Sequence, residues 1–250
     1  MTGPTPGLPT WVDLGTADVA DAQRFYTALF DWTAHVSGDD YGGYTIFNLD
    51  GRPAAGAGPL FGDGQPTAWS TYFATADVDA SAQLVEAAGG KVLVPPFDVM
   101  EQGRMAACLD HLGAPFSLWQ AGTMAGSEVL DVPGAWTWSE LATRDLDGSA
   151  AFYGRVFGWT ARASEAYVLW DLDGRAIGGM QSMDDDRWPA DMAPHWMPYF
   201  GVRDCAEAAA LSGSLGGRVV RPPTRFALGT YAVLADPQDG TFSVLEPIRS

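Results

Sequence analysis

Between Asp18 and Phe30 the residues Ala22, Phe25, Tyr26 and Leu29 recur at helical spacing and predict an amphipathic helix over about Val19–Phe30. A second helical stretch, about Val78–Ala88, stops at Gly89-Gly90, a helix-ending pair. Each predicted helix follows an aspartate able to cap it: Asp18, Asp77, Asp145 or Asp204. Short β-type runs come between, among them Tyr44–Leu49, Lys91–Val94, Arg104–Asp110 and Phe116–Gln120. Asp50-Gly51, Pro95-Pro96 and Leu112-Gly113 are the expected turns. Strand, helix and a run of strands recur four times, which reads as α+β with helices on one side of curled, mostly antiparallel sheets.

The pattern also repeats at a longer period. Trp11-Val-Asp-Leu-Gly-Thr-Ala-Asp18 meets Trp138-Ser-Glu-Leu-Ala-Thr-Arg-Asp145 at an offset of 127. Phe25-Tyr26 falls on Phe152-Tyr153, Trp32-Thr33-Ala34 on Trp159-Thr160-Ala161, and Trp69 on Trp196. After a four-residue deletion, Leu49-Asp50-Gly51-Arg52 meets Leu172-Asp173-Gly174-Arg175. Two homologous domains follow, at residues 9–121 and 135–250, with a linker at 122–134 and a disordered tail expected over 1–8.

Composition narrows the function classes. In 250 residues, 31 acidic and 14 basic side chains leave a net charge of −17. Nucleic acid and anionic membrane surfaces are therefore poor partners. Apolar residues make up 47% of the chain and no run is long enough to span a bilayer, so a packed, cytoplasmic protein is expected. The start of the chain has neither the basic nor the apolar segment of a signal peptide. Cys108 and Cys205 form no disulfide framework or metal spacing and read as small core residues.

The T-x-D strand ends, the Phe-Tyr helix, the following Trp-Thr-Ala and the Asp110 and Asp236 turns resemble the vicinal oxygen chelate superfamily. That superfamily includes glyoxalases, bleomycin-resistance proteins and extradiol dioxygenases. Within it the chain is most similar to two-domain actinobacterial proteins labelled glyoxalase-like or hydroxylase. The resemblance implies four βαβββ modules forming two tandem domains, each a cup open on one side. In the enzyme branches it implies a metal held in the cup by His and Glu.

The implied ligand positions carry other residues here. The first-strand histidine falls on Trp11 and Trp138, the second-module position near Thr71 and Met197, and the final-strand glutamate on Ser117 and Ser243. His195 shares a strand face with Met197, but its nearest companion, Glu246, lies three residues past Ser243 and so on the opposite face. His35 and His111 have no partner at ligand spacing. Asp184-Asp185-Asp186 reads as a solvated connector. No metal or other cofactor is expected.

By strand alternation one cup is lined by Trp11, Asp13, Trp69, Thr71, Phe73, Ser117 and Trp119. The other is lined by Trp138, Glu140, His195, Met197, Tyr199, Ser243 and Leu245. Each combines aromatic surface with one carboxylate. The chain has ten tryptophans, a residue suited to stacking on flat rings; Trp32 and Trp159 read as core. Phe97–Gly103 and Gly58–Thr67, with Phe61, are candidate lids, and Gly56–Gly58 has no phosphate-loop context.

The expected function is metal-free binding of an aromatic small-molecule ligand, planar and polyketide- or antibiotic-like, for resistance or biosynthetic presentation. The alternatives are a cofactor-independent enzyme with Asp13 or Glu140 as general base, and a metal-dependent lyase or oxygenase of the glyoxalase type. A monomer or a homodimer is expected.

Overall fold

The structure is a computed structural model, and it describes residues 3–38, 42–60, 62, 64–164, 167–184, 188–226 and 229–248. Phe61, Asp185 and Asp186 lie outside the described residues.

Four βαβββ modules follow one another. The first is β1 (Pro9–Thr16), α1 (Val19–Phe30), β2 (Thr33–Val36), β3 (Thr45–Leu49) and β4 (Arg52–Pro59). The second is β5 (Ala68–Ala74), α2 (Val78–Ala87), β6 (Lys91–Val99), β7 (Gly103–Leu109) and β8 (Pro115–Ala121). The third is β9 (Trp136–Thr143), α3 (Leu146–Phe157), β10 (Thr160–Ser164), β11 (Tyr167–Leu172) and β12 (Arg175–Ser182). The fourth is β13 (His195–Gly201), α4 (Cys205–Ser214), β14 (Arg218–Phe226), β15 (Gly229–Ala235) and β16 (Thr241–Pro247).

The caps do what the sequence asked of them. Asp18, Asp77, Asp145 and Asp204 are extended and accept from Asp21 N, Ala80 N, Gly148 N and Glu207 N, each at 2.9 Å. Each thereby satisfies a backbone donor that the first helical turn leaves unpaired. Asp50-Gly51 and Asp173-Gly174 both have positive φ at two successive residues, the geometry that closes a tight antiparallel hairpin.

Each half of the chain supplies one eight-stranded mixed sheet, ordered β2-β3-β4-β1-β5-β8-β7-β6 and β10-β11-β12-β9-β13-β16-β15-β14. The hairpin strands pair antiparallel, while β1·β4, β5·β8, β9·β12 and β13·β16 are parallel. Compactness divides the chain differently. One unit comprises Met1–Trp11, Thr71–Gly126 and Trp138–Met197, and so holds the second and third modules. The other comprises Val12–Ser70, Ser127–Thr137 and Pro198–Ser250, and holds the first and fourth.

Each unit has its own aromatic core. Phe73, Phe116, Phe152, Tyr153, Trp159, Trp170 and Trp196 fill the first; Phe25, Tyr26, Phe30, Trp32, Phe47, Trp69, Phe200 and Phe242 fill the second. Trp32 and Trp159 are core residues, their indoles donating to Gly134 O and Gly7 O. Leu8 and Gly7 also exchange backbone bonds with Ala74. Both cysteines are buried, and burial pushes the Cys205 thiol up to about 11 and Cys108 to about 12.

Two local expectations are corrected. Pro95-Pro96 is not a turn: β6 runs through it, with register shifts on both sides of Val94. Lacking N–H groups, prolines are tolerated there because β6 is the sheet's edge strand. The supposed lid Phe97–Gly103 is accordingly the end of β6 and a tight β6–β7 hairpin.

Candidate functional site

The Phe-Tyr helix motif and the Asp turns explain one another. In one unit Trp69 Nε1 donates to Tyr26 Oη at 3.0 Å, and Tyr26 Oη donates to Asp236 Oδ2 at 2.9 Å. In the other, Trp196 Nε1 donates to Tyr153 Oη at 2.8 Å, and Tyr153 Oη to Asp110 Oδ2 at 3.1 Å. The second oxygen of each aspartate takes backbone N–H groups from its own turn. Burial, reinforced by the neighbouring aspartate, holds both tyrosines well above the usual phenol range. These are closed structural networks, each tying a helix to a β-turn.

The residue at the foot of the second-module strand therefore faces the core. Trp69 and Phe73 pack among Tyr26 or Phe116, and Thr71 is fully buried with Oγ1 3.4 Å from Ser139 Oγ. This corrects the placement of Trp69, Thr71 and Phe73 on the cup face. The error is one residue of parity, which moves every side chain of a strand to the other side. Tyr72 occupies the outer face instead, 6.5 Å from the Trp119 ring in an edge contact.

Elsewhere the alternation holds. Along β1, Val12 and Leu14 enter the core, which leaves Trp11 and Asp13 on the opposite face; on β9, Leu141 does the same and leaves Trp138 and Glu140. On β8 and β16, Phe116, Leu118, Phe242 and Val244 are core, leaving Ser117, Trp119, Ser243 and Leu245 opposite. On β13, Trp196 and Phe200 are core, leaving His195, Met197 and Tyr199 opposite. Glu246 turns away from Ser243 and accepts from Cys205 N at 3.1 Å.

Exposure differs between the two halves. Trp11 and Trp119 retain 4% and 6% of their surface, and the Trp119 indole is spent on Met124 O. Trp138, His195 and Met197 are half-buried. His195 Nδ1 lies 2.9 Å from Ala193 O, and desolvation lowers its pKa. A cavity of about 410 Å³ in the second unit is lined by Asp131, Val132, Pro133, Arg203 and Glu246 among others, and of the sequence-predicted cup residues its lining includes Leu245.

The carboxylates have partners that sequence reasoning missed. Tyr44 Oη donates to Asp13 Oδ2 at 3.1 Å. In the other unit Trp138 Nε1 donates to Tyr167 Oη at 3.1 Å, Tyr167 bonds to Glu140, and Gln181 Nε2 donates to Glu140 Oε1. Burial, then the Glu140 charge, drives the Tyr167 phenol far up. Both tyrosines come close against a glycine. A Cβ on Gly56 would sit 1.9 Å from Tyr44 Oη, and one on Gly179 would sit 1.8 Å from Tyr167 Oη. Asp13 pairs in register with Gly56, and Glu140 with Gly179. The Gly56–Gly58 cluster is thus the floor beneath a tyrosine. Offset 123 after the deletion pairs Tyr44 with Tyr167 and Gly56 with Gly179, and that was the available signal.

The glyoxalase/bleomycin resistance protein/dioxygenase superfamily model matches residues 9–118, and a glyoxalase-like domain model matches residues 138–245. The anthracycline biosynthesis protein DauV of Streptomyces sp. (strain C5) is 38% identical over 265 residues, covering 98% of this chain and 95% of that protein. The chain belongs to the glyoxalase/bleomycin resistance protein/dioxygenase superfamily. Two solved structures share its fold at low identity. The 2,3-dioxygenase LapB of Pseudomonas sp. KL28 has a TM-score of 0.67 and 13% identity, covering 97% of this chain and 93% of its own. The Mn(II)-bound glyoxalase of Novosphingobium aromaticivorans has a TM-score of 0.67 and 16% identity, covering 96% and 81%.

A resident metal of the superfamily's enzyme type needs imidazole and carboxylate donors. The corresponding positions offer indole, thioether and hydroxyl groups, which are poor or weak donors to a divalent ion. Among the described residues, no three His, Cys, Asp or Glu side chains come together as a ligand set. The donor set does not fit such an ion.

Proposed function

We propose that this protein binds a planar, largely apolar aromatic compound of polyketide type, in antibiotic biosynthesis or sequestration, without a resident metal. The observation that carries this reading is the donor set itself. Indoles and serines occupy the positions implied for imidazoles and carboxylates, with Trp138 half-buried beside the Tyr167–Glu140 pair. An aromatic face with a few fixed polar groups suits a flat ring system bearing oxygen substituents. The relative named as an anthracycline biosynthesis protein, aligned over 98% of the chain, supports the ligand class. Native mass spectrometry of protein expressed in a polyketide-producing host tests it. A co-purified aromatic polyketide is expected; a ligand-free protein that also ignores added anthracyclinones contradicts it.

A second reading has an observation of its own. A tyrosine hydroxyl bonded to a carboxylate occurs in both halves, Tyr44–Asp13 and Tyr167–Glu140. Such a pair can pass a proton to or from a bound enol, which would make the protein a cofactor-independent isomerase or cyclase. Asp13→Asn and Glu140→Gln separate the two readings. A binder retains affinity in both variants, whereas this catalyst loses turnover of a polyketide intermediate.

A further inference from the structure

Ladder register sets four side chains of the fourth module in one row across adjacent strands of a single unit. They are Tyr199 on β13, Ser243 on β16, Val233 on β15 and Arg221 on β14. The next row is Gly201, Leu245, Tyr231 and Thr224. Directly opposed residues share a sheet face. This is the face away from Ala232, Leu234, Phe242 and Val244, which belong to the core.

The second module, in the other unit, has the same two rows: Tyr72, Ser117, Ala107 and Val94, then Ala74, Trp119, Met105 and Phe97. The Tyr–Ser pair is common to both. The remainder has changed in kind. Val94 corresponds to Arg221 and Met105 to Tyr231, so two apolar positions in one module carry a guanidinium and a phenol in the other.

These polar groups are not closed among themselves. Arg221 Nη1 donates to Tyr231 Oη at 3.5 Å, and among the described residues no carboxylate pairs with it. Ser243 Oγ is fully buried and has no hydrogen-bond partner among the described residues. A half-buried cation loses hydration that only an anionic partner restores well. The chain has 31 carboxylates from which a partner could have been drawn.

We propose that this face of the fourth module recognises an anionic oxygen on an aromatic ligand, a carboxylate or an ionised enol or phenol. The inference rests on the binding role proposed above and names the ligand class for it. The guanidinium fork matches two oxygens of a carboxylate or of adjacent ring substituents. Tyr231 accepts from Arg221, so its own hydroxyl hydrogen remains to donate to the same oxygen. Four adjacent strands, at about 4.8 Å each, put Tyr199 and Arg221 about 14 Å apart. That leaves room for several fused rings lying along the row with their acidic oxygen at the Arg221 end.

The test uses 9,10-anthraquinone-2-carboxylate and its methyl ester, titrated against the full chain by equilibrium dialysis. Wild type is expected to bind the acid about tenfold or more tightly than the ester, as for a charge-assisted hydrogen bond. Arg221→Met should abolish the preference for the acid over the ester, and Tyr231→Phe should remove part of it. If Arg221→Met does not fold, Arg221→Lys, which keeps the charge but loses the fork, should still narrow the preference. Equal binding of acid and ester to wild type, or a preference that survives both Arg221 variants, overturns the proposal. Binding of the ester alone overturns it while leaving the general binding role intact. Binding of neither removes both.

Discussion

Tyr44 Oη lies 3.1 Å from Asp13 Oδ2, in the space that a side chain on Gly56 would fill. Gly56→Ala is expected to cost about 1–3 kcal/mol, because the new methyl overlaps the tyrosine ring as well as its hydroxyl. In a Tyr44→Ala background the same change should be nearly neutral. Urea melts of the four proteins check it. Additive losses would show that the ring does not depend on the glycine.

Tyr26→Phe is expected to destabilise by about 1–3 kcal/mol, since it strips Trp69 Nε1 of its buried acceptor and Asp236 of a donor. Tyr153→Phe should behave alike through Trp196 and Asp110. Thermal or urea unfolding measures both. A neutral result in either would mean that the Trp–Tyr–Asp network is not what joins that helix to its turn.

These networks show how far the sequence alone carries the reading. Capping aspartates and the internal repeat revealed the helix starts and the four modules, because both depend on local chemistry and spacing. Parity along β5 was misread at Trp69, Thr71 and Phe73, because an aromatic alternation looks the same from either face. The repeat held the remedy, since Trp69 aligns with Trp196 and so Tyr72 with Tyr199. Tyr44, Tyr167 and Gln181 were missed because their roles depend on pairing across strands distant in sequence. Arg221 and Tyr231 were missed for the same reason: only the ladder register sets them beside Ser243.

Burial above all raises the Asp236 carboxyl above the ordinary aspartate value of 3.8. The folded state therefore holds this proton more tightly than the unfolded chain. Its contribution is greatest below the ordinary value and is lost as pH rises through the raised one. Asp236→Asn has no such titration. The stability difference between wild type and variant should shift against wild type from about pH 4 upward. Denaturant melts at matched pH values check the sign, and a shift in wild type's favour would contradict the assignment.

Cys205 sits at the start of α4, a position that favours a thiolate, yet burial wins and its thiol is pushed up to about 11; Cys108 is at about 12. Native protein at neutral pH should therefore react with a thiol reagent such as DTNB only as fast as it opens. Labelling should become rapid and stoichiometric in denaturant. Fast native labelling at Cys205 would contradict the burial argument.

The most direct test is tryptophan-fluorescence titration of chelator-treated protein with a planar anthracyclinone, alongside metal analysis of the same sample. Saturable quenching with a Kd of about 1 μM, roughly 8 kcal/mol of binding energy, is expected, unchanged by chelation. No quenching by any planar polyketide, or binding that returns only with a stoichiometric divalent ion, would contradict the account.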